Sequence, residues 1–174
     1  MKEDKIMEAL TIKEIVIAVG GKIITGDENM LITDVSTNSK KLEKGSLFVP
    51  IIGEKVDAHD YITDAYTNGA SACFTSRHKS FTEDMNQDMV YIYVEDTLQA
   101  LQALGTYYRN KFSIPIVGIT GSVGKTTTKE MVAAALETKY KVLKTEGNMN
   151  SQVGLPLMML RLSSTYDIAV IEMG

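Results

Sequence analysis

The pattern of hydrophobic and polar positions divides the chain into a first part of short, mixed elements and a second part of regular alternation. In the first part, Thr11 and Glu14 have the spacing of a capping box and Gly20-Gly21 follows, which predicts a helix over 12–19. β-rich segments between turn-prone residues predict strands, and apolar faces with helical spacing predict two more helices. The predicted strands are 22–25, 31–35, 46–50, 70–75 and 89–94, and the predicted helices are 61–68 and 97–112.

The second part alternates strands and helices in the order β-α-β-α-β. The predicted elements are a strand at 114–120, a glycine-rich loop at 121–124, a helix at 125–139, a strand at 141–145, a helix at 155–162 and a strand at 167–172. This order predicts parallel strands joined by right-handed crossovers. We therefore expect an α/β protein with a small mixed α/β domain over 1–112 and a parallel-sheet domain over 113–174, with the boundary near 110–113. Three parallel strands leave much of a sheet uncovered, so we expect the second domain to be incomplete.

Composition narrows the classes of protein that the chain can represent. It has 174 residues, with 18 basic and 22 acidic side chains and a net charge of −4, which gives no reason to expect nucleic acid as a partner. No apolar run reaches the length of a membrane span, and no signal peptide is evident. The single cysteine, Cys73, is expected to be a small buried residue in a reducing compartment. We expect a cytoplasmic monomer.

The segment from Gly118 to Thr128 reads GITGSVGKTTT and lies between an apolar strand and a helix. Glycines in that context let backbone N–H groups point at phosphate oxygens, at the positive end of the following helix. Lys125 would then reach the phosphates and Thr126 would bind Mg²⁺. The strict pattern has glycine where this chain has Ile119, and a plain glycine-rich turn before a lysine is the alternative. The candidate ATP-binding residues are Gly121, Ser122, Val123, Gly124, Lys125, Thr126 and Thr127.

Glu172 is the second candidate in this region. It follows four apolar residues at the carboxyl end of a predicted parallel strand, where open α/β sheets bind their ligands. A carboxylate there can hold Mg²⁺ directly or through water, so Thr126 and Glu172 are the candidate metal ligands. A strand-end charge that faces solvent is the alternative.

The form of the loop, with Ile119 in place of glycine, resembles the ATP loop of the Mur ligases and their folylpolyglutamate synthetase relatives. Three further segments, TEGNMNSQVGLP at 145–156, LRL at 160–162 and IEMG at 171–174, are similar in order and spacing to motifs of the Mur ligases that add D-Ala-D-Ala. Ser151 departs from the pattern, which usually has asparagine there. The resemblance is most specific over 118–174.

The first part of the chain resembles the uridine-nucleotide-binding domain of the same family more loosely. VSTNSK at 35–40, GSLFVP at 45–50 and GEKVDAHD at 53–60 carry the likeness. It implies that Thr37, Asn38, Ser39, Lys40 and His59 contact a UDP-sugar. Lysine at 40 replaces the family's arginine and offers a point charge instead of a two-pronged fork. An ordinary polar turn at 37–39 and a loop histidine at 59 are the alternative.

The resemblance implies an ATP-dependent ligase of peptidoglycan synthesis. ATP would phosphorylate the terminal carboxylate of UDP-N-acetylmuramoyl-tripeptide, and the amine of D-Ala-D-Ala, held by a further domain, would attack the acyl phosphate. Lys125, Asn148 and Asn150 are the implied catalytic residues, with loop capping as the alternative role of the two asparagines. Without the rest of the family's domains, we expect the chain not to ligate by itself.

Two other classes of function stay open at this point. The chain could be a non-catalytic uridine-nucleotide-binding module with a vestigial phosphate loop. It could also be a GTPase-like switch, although no N-K-x-D guanine motif is present: Asn110-Lys111 is followed by Phe112-Ser113.

Overall fold

The computed structural model describes residues 7–77 and 88–174. The polar sequence at 76–88 predicts a loop with a solvated surface around His78, and most of this segment, like residues 1–6, lies outside the described residues. The chain divides into two compact units, 1–104 and 105–174. This division lies a few residues before the boundary expected at 110–113, inside a helix. No helix among the described residues combines the length and apolar character needed to cross a membrane.

The first unit is built on a five-stranded mixed sheet. Its elements are β1 (Leu10–Thr11), α1 (Ile12–Val19), β2 (Lys22–Thr25), β3 (Leu31–Ile32), β4 (Asp34–Ser36), β5 (Ser46–Phe48), a 3₁₀ turn (Ala58–Tyr61), α2 (Ile62–Thr67), β6 (Ala70–Thr75), β7 (Val90–Tyr93) and the start of α3 (Thr97–Arg109). The strand order is β2-β7-β6-β5-β4. Only the β2–β7 pair is antiparallel, so β4 to β7 end at one common edge. The predicted mixed sheet is confirmed.

The prediction of one strand at 31–35 is wrong, because this segment forms two short strands that belong to different sheets. Residues Leu31–Ile32 pair with β1, whereas Asp34–Ser36 pair with β5. Between them, the backbone of Thr33 bonds to Met7 on one side and to Gly45 on the other. The change of sheet falls at Thr33-Asp34, between apolar residues on both sides, and hydrophobicity alone does not mark such a change of partner.

The predicted helix caps are present. The Thr11 hydroxyl accepts the Glu14 N–H at 3.2 Å, and the Glu14 carboxylate accepts the Thr11 N–H at 2.9 Å. At the start of α3, the Asp96 carboxylate accepts the Gln99 N–H at 2.8 Å. These bonds satisfy N–H groups that a helix leaves without internal partners. Cys73 is fully buried beside Phe48 and Tyr91, as predicted, and burial raises the pKa of its thiol.

The second unit contains the end of α3 and the predicted parallel sheet. Its further elements are β8 (Ile116–Ile119), α4 (Lys125–Glu137), β9 (Val142–Lys144), α5 (Gly154–Met159) and β10 (Ile168–Glu172). The order is β8-β10-β9, and both pairs are parallel. β10, the last strand in sequence, therefore lies between the other two. The predicted alternation is confirmed, with α4 and α5 each ending before the predicted residue.

Apolar packing and one buried hydrogen bond hold α3 and α5 together within this unit. Tyr108 is fully buried, and its hydroxyl donates to the Leu162 carbonyl at 2.8 Å. Gly105 lies so close to Pro156 that a side chain at 105 would overlap it. This packing holds α5, the helix that follows the loop at 145–153, against α3.

The capping box gives a direct test of the first unit. Thr11→Ala removes the acceptor of the Glu14 N–H and should lower the free energy of unfolding by about 1 kcal/mol. Thr11→Ser keeps the hydroxyl and should lose much less. Denaturant titration of the three proteins measures both effects, and equal stability of Thr11→Ala and the parent would contradict the role of the cap.

Candidate functional site

The glycine loop joins the end of β8 to the start of α4, as a phosphate loop requires. Gly121 and Gly124 have φ angles of 144° and 79°, in the region that favours glycine. Both let the backbone curl into the N-terminus of α4. Ile119 is the last residue of β8 and pairs with Glu172 in register. The position where the strict motif has glycine is therefore still strand in this chain, and the curl begins later, at Gly121.

The tip of the glycine loop is exposed to solvent, and the side chain of Lys125 bonds back to the loop. The Lys125 ammonium donates to the Gly121 carbonyl at 2.7 Å, which folds the side chain back across the loop. Val123 is 93% exposed at the tip, so none of the residues that the structure describes covers this side. Helix N-terminus, backbone N–H groups and lysine together form an arrangement that suits a phosphate group.

Glu172 is buried, and two predicted site residues bind its carboxylate. The residue is 4% exposed, so the alternative of a solvent-facing charge is wrong. One carboxylate oxygen accepts the Thr126 hydroxyl at 3.0 Å, and the other accepts the Asn150 side-chain amide at 2.8 Å. Three elements thus converge on one carboxylate: the first turn of α4, the end of β10 and the loop after β9.

The two asparagines of this loop are placed differently. Asn150 bonds to Glu172, and its carbonyl also accepts the Gly174 N–H at 2.9 Å. Asn148 is exposed in the same turn. The hydroxyl of Ser151, where the family usually has asparagine, accepts the N–H of Gly154, the first residue of α5, at 3.1 Å. The predicted catalytic roles of Lys125, Asn148 and Asn150 stay predictions.

The donor set at Glu172 fits a magnesium ion. A hydroxyl and a carboxylate are hard oxygen ligands, and Mg²⁺ commonly takes one or two of these from the protein and the rest from phosphates and water. Within residues 7–77 and 88–174, no group of three or more His, Cys, Asp or Glu side chains could hold a metal by itself. The residues therefore suit an ion that arrives with a nucleotide.

Sequence reasoning missed two residues that support this edge. Thr145 is 1% exposed, and its hydroxyl accepts the Glu172 N–H at 2.8 Å. Lys129 is 2% exposed, and its ammonium donates to the Thr145 carbonyl at 2.8 Å. A lysine one turn after Lys125 and a threonine at the end of a strand were the available signals, but either residue also fits a solvated surface.

In the first unit, the predicted UDP-sugar residues lie at the carboxyl edge of the parallel strands. Residues 37–40 follow β4, and Ser76, which contacts His59, follows β6. Since β5 lies between these strands, the two groups are about 10 Å apart across the edge. The Asn38 side chain accepts the Lys40 N–H at 3.0 Å, so part of this segment is a turn held by its own residues. Contacts of 37–40 with a ligand stay a prediction.

His59 is 5% exposed and is the centre of a polar cluster. Its Nδ1 lies 2.6 Å from an Asp57 carboxylate oxygen, and its Nε2 accepts the Ser76 N–H at 3.1 Å. Arg77 donates to Asp57 at 2.5 Å and to Asp60 at 2.8 Å. The polar residues around Arg77 predict a solvated surface, and the Arg77 side chain is partly solvated, at 39% exposed, while it pairs with both carboxylates. His59 is not a simple loop histidine, because its ring joins the 3₁₀ turn to Ser76, the residue after β6.

The electrostatics of this cluster favour the ionised form of Asp57. Burial by itself raises the pKa of Asp57, but the His59 N–H, the Arg77 guanidinium and the His59 ring together lower it from 3.8 to about 2. The same ion pairs raise the pKa of Arg77. A folded-state pKa below the unfolded value stabilises the fold above pH 4, and this stabilisation is lost as the pH falls toward 2.

Comparison with known protein families agrees with this geometry. Residues 119–174 match the Mur ligase middle domain, and residues 31–109 match the domain described as Mur ligase family, catalytic domain. The fold and site define an α/β protein with a loop of the phosphate-binding type. Because these two matches cover most of its residues, the chain belongs to the Mur ligase family.

Individual relatives show which Mur ligases the chain is similar to. The chain is 42% identical over 84% of its length to the UDP-N-acetylmuramoyl-tripeptide–D-alanyl-D-alanine ligase of Synechocystis, and 39% identical over 94% of its length to that of Bacillus subtilis. It covers 32% and 35% of those two proteins. The chain thus spans about a third of the length of the relatives it matches.

Solved structures give the same result. A MurF crystal structure from Acinetobacter baumannii superimposes with a TM-score of 0.86 at 31% identity, covering 97% of this chain and 36% of the other. The Thermotoga maritima MurF ligase in complex with ADP gives a TM-score of 0.66 at 37% identity, covering 80% of this chain and 31% of the other. The resemblance inferred from sequence motifs is therefore confirmed.

The Asp57 cluster predicts a specific dependence of stability on pH. Asp57→Asn should lower stability at pH 7 by about 1 kcal/mol, allowing for solvent screening of a partly exposed ion pair. The difference from the parent should shrink as the pH falls from about 4 to 2. Thermal unfolding at pH 7, 4 and 3 measures this. Asp60→Asn, at a more exposed carboxylate on the same arginine, is the matched control and should have a smaller effect. A pH-independent difference for Asp57→Asn would contradict the lowered pKa.

Proposed function

We propose that this chain forms the uridine-nucleotide-binding part and the ATP-phosphate half-site of a ligase that joins D-Ala-D-Ala to UDP-N-acetylmuramoyl-tripeptide. The observation that carries the proposal is the convergence of Thr126 and Asn150 on the buried Glu172 carboxylate, directly behind the glycine loop. The names of the relatives supply the substrates, and the ADP complex of one structural relative supports the nucleotide.

In the proposed reaction, the chain's own residues bind and orient the phosphates of ATP. The N–H groups of 121–124 and the first turn of α4 hold the phosphate oxygens. Lys125 exchanges its bond to the Gly121 carbonyl for bonds to phosphate. Charge grows on phosphoryl oxygens during transfer to the tripeptide carboxylate, and a fixed cation with oriented N–H groups stabilises that charge more than the ground state.

Mg²⁺ would be held by the Thr126 hydroxyl and the Glu172 carboxylate, and it would supply positive charge that offsets the negative charge of the phosphates. Asn150 fixes the orientation of the Glu172 carboxylate through its amide. Asn148, exposed in the same turn, is available to the acceptor carboxylate. Phosphoryl transfer to the tripeptide carboxylate yields ADP and an acyl phosphate. The amine of D-Ala-D-Ala then attacks the acyl carbon, which forms the amide and releases phosphate and the proton of the amine.

We assign one of the two ligands to each proposed domain. Residues 1–112 would bind the UDP-sugar through 37–40 and His59, and residues 113–174 would bind ATP. The buried hydrogen bonds of His59 support a role in shaping this edge of the sheet. A vestigial loop is the less favoured alternative, because a loop without function gives no reason to keep a buried carboxylate bound to Thr126. We also propose a cytoplasmic setting, which suits ATP as substrate and the buried thiol of Cys73.

Lys125 provides the direct test of the ATP half-site. Lys125→Met removes the cation and should weaken binding of Mg·ATP to the 174-residue chain by about tenfold or more, the loss expected for a charge-assisted hydrogen bond. Isothermal titration calorimetry measures the affinity.

The matched control is Lys139→Met, which removes the same charge just beyond the other end of α4, about 20 Å away. It should bind like the parent. No binding by the parent, or equal affinity of the parent and Lys125→Met, would overturn the proposed half-site. Binding of a UDP-sugar alone would favour the non-catalytic module, and competition with GTP tests the GTPase-like alternative.

Glu172 should carry the metal dependence of binding. Glu172→Gln keeps the size of the side chain but removes its charge, so Mg²⁺ should no longer strengthen ATP binding, a loss of at least about tenfold in metal affinity. Glu137→Gln, at an exposed carboxylate near the end of α4, is the control. Titration of Mg²⁺ at fixed ATP separates the two variants, and an unchanged Mg²⁺ dependence in Glu172→Gln would remove this carboxylate from the metal site.

A further inference from the structure

Lys129 is a buried cation that the proposed reaction does not use. Its side chain is 3% exposed, on the face of α4 that packs against β9 and β10. It lies one turn after Lys125, which reaches into the loop. Its ammonium donates to the Thr145 carbonyl at 2.8 Å and lies 3.0 Å from the Glu130 carboxylate. Burying an ammonium group costs free energy unless such partners are present, so we asked what the buried position of Lys129 does for the structure.

Lys129 changes the hydrogen bonding at the end of β9. The Thr145 N–H still bonds to the Val170 carbonyl at 3.1 Å, as in a parallel ladder. In a continuing ladder, the Thr145 carbonyl would accept the Glu172 N–H. Here that carbonyl binds Lys129, and the Thr145 hydroxyl accepts the Glu172 N–H at 2.8 Å instead. The acceptor of the Glu172 N–H is therefore the side-chain hydroxyl of Thr145 and not its backbone carbonyl.

We propose that Lys129 and Thr145 are positioning residues that set the backbone of Glu172, and thereby aim its carboxylate at Thr126. The inference rests on the proposed function for its role in metal binding, but the positioning itself is a property of the chain without nucleotide. Lys129 holds the Thr145 carbonyl out of the ladder, and the freed Glu172 N–H binds the hydroxyl. The polar contacts of the two side chains go to Thr145, Glu130 and Glu172 and not to the phosphate loop.

The chain offers a matched control for the cation. Lys144 is 34% exposed and pairs with Glu130 and Glu137 at 3.1 and 3.2 Å, so it shares the Glu130 carboxylate with Lys129. Lys144→Met therefore perturbs the same ion-pair network without touching the Thr145 carbonyl. For the hydroxyl, Thr145→Val removes the acceptor at constant size, and Thr145→Ser retains it.

The first test uses the chain without nucleotide and measures backbone amide hydrogen exchange by NMR. Exchange at the Glu172 N–H should be about tenfold faster in Thr145→Val, the change expected for one lost hydrogen bond. Thr145→Ser should restore protection. The Ala169 N–H, which bonds to the Pro115 carbonyl, is the internal reference for general loosening of β10. Equal exchange at Glu172 in Thr145→Val and the parent would overturn the positioning role.

The second test measures the Mg²⁺ concentration that gives half-maximal ATP binding. Lys129→Met and Thr145→Val should each raise it by about tenfold, the usual effect of losing a group that orients a metal ligand. Nucleotide affinity without Mg²⁺ should stay near that of the parent. Lys144→Met should not shift the midpoint. A variant with lower thermal stability and an unchanged Mg²⁺ midpoint would show a purely structural role and refute the inference.

The two proposals fail in different ways. If the parent chain does not bind Mg·ATP, the proposed function fails, while faster exchange at Glu172 in Thr145→Val still supports the positioning role. If the parent binds Mg·ATP with a clear Mg²⁺ dependence and neither Lys129→Met nor Thr145→Val changes it, the positioning inference fails and the proposed function stands. Should Lys129→Met not fold, Thr145→Val and Thr145→Ser carry the test alone.

Discussion

The candidate site depends on one carboxylate, that of Glu172, and on its being buried yet fully bound. A buried carboxylate without partners is strongly disfavoured, so the hydroxyl of Thr126 and the amide of Asn150 are needed for the end of β10 to exist as it does. This requirement links three segments that are far apart in sequence. It also leaves the carboxylate at the mouth of the glycine loop, where a cation that accompanies a phosphate would lie.

The central place of β10 in its sheet makes this arrangement possible. An edge strand would expose its last residue to water on one side, whereas β10 has β8 on one side and β9 on the other. The end of β8 runs beside Glu172 and starts the glycine loop, and the end of β9 supplies Thr145 and the turn with Asn150. Parallel sheets generally bind ligands at their carboxyl edge. In this chain the candidate site lies at that edge because the ends of β8 and β9 both flank the end of β10.

Sequence reasoning predicted what local chemistry determines. Capping residues, the glycine loop and the alternation of strands and helices were all correctly placed, because each depends on residues that are near one another in the chain. The crossing of two sheets at Thr33 was missed because hydrophobicity does not name a strand's partner. The buried states of His59 and Lys129 were also missed. A polar side chain is buried only when distant residues satisfy it, and no local pattern shows those residues.

The strand order of the second unit also bears on how that unit can be made. Among the described residues, β8 and β9 do not pair with each other, and each is hydrogen-bonded to β10. During synthesis, both strands leave the ribosome before their common partner does, and they must wait with open edges until residues 168–172 are available. A nascent chain that stops before β10 therefore lacks both the strand that joins β8 to β9 and the carboxylate that binds Thr126 and Asn150.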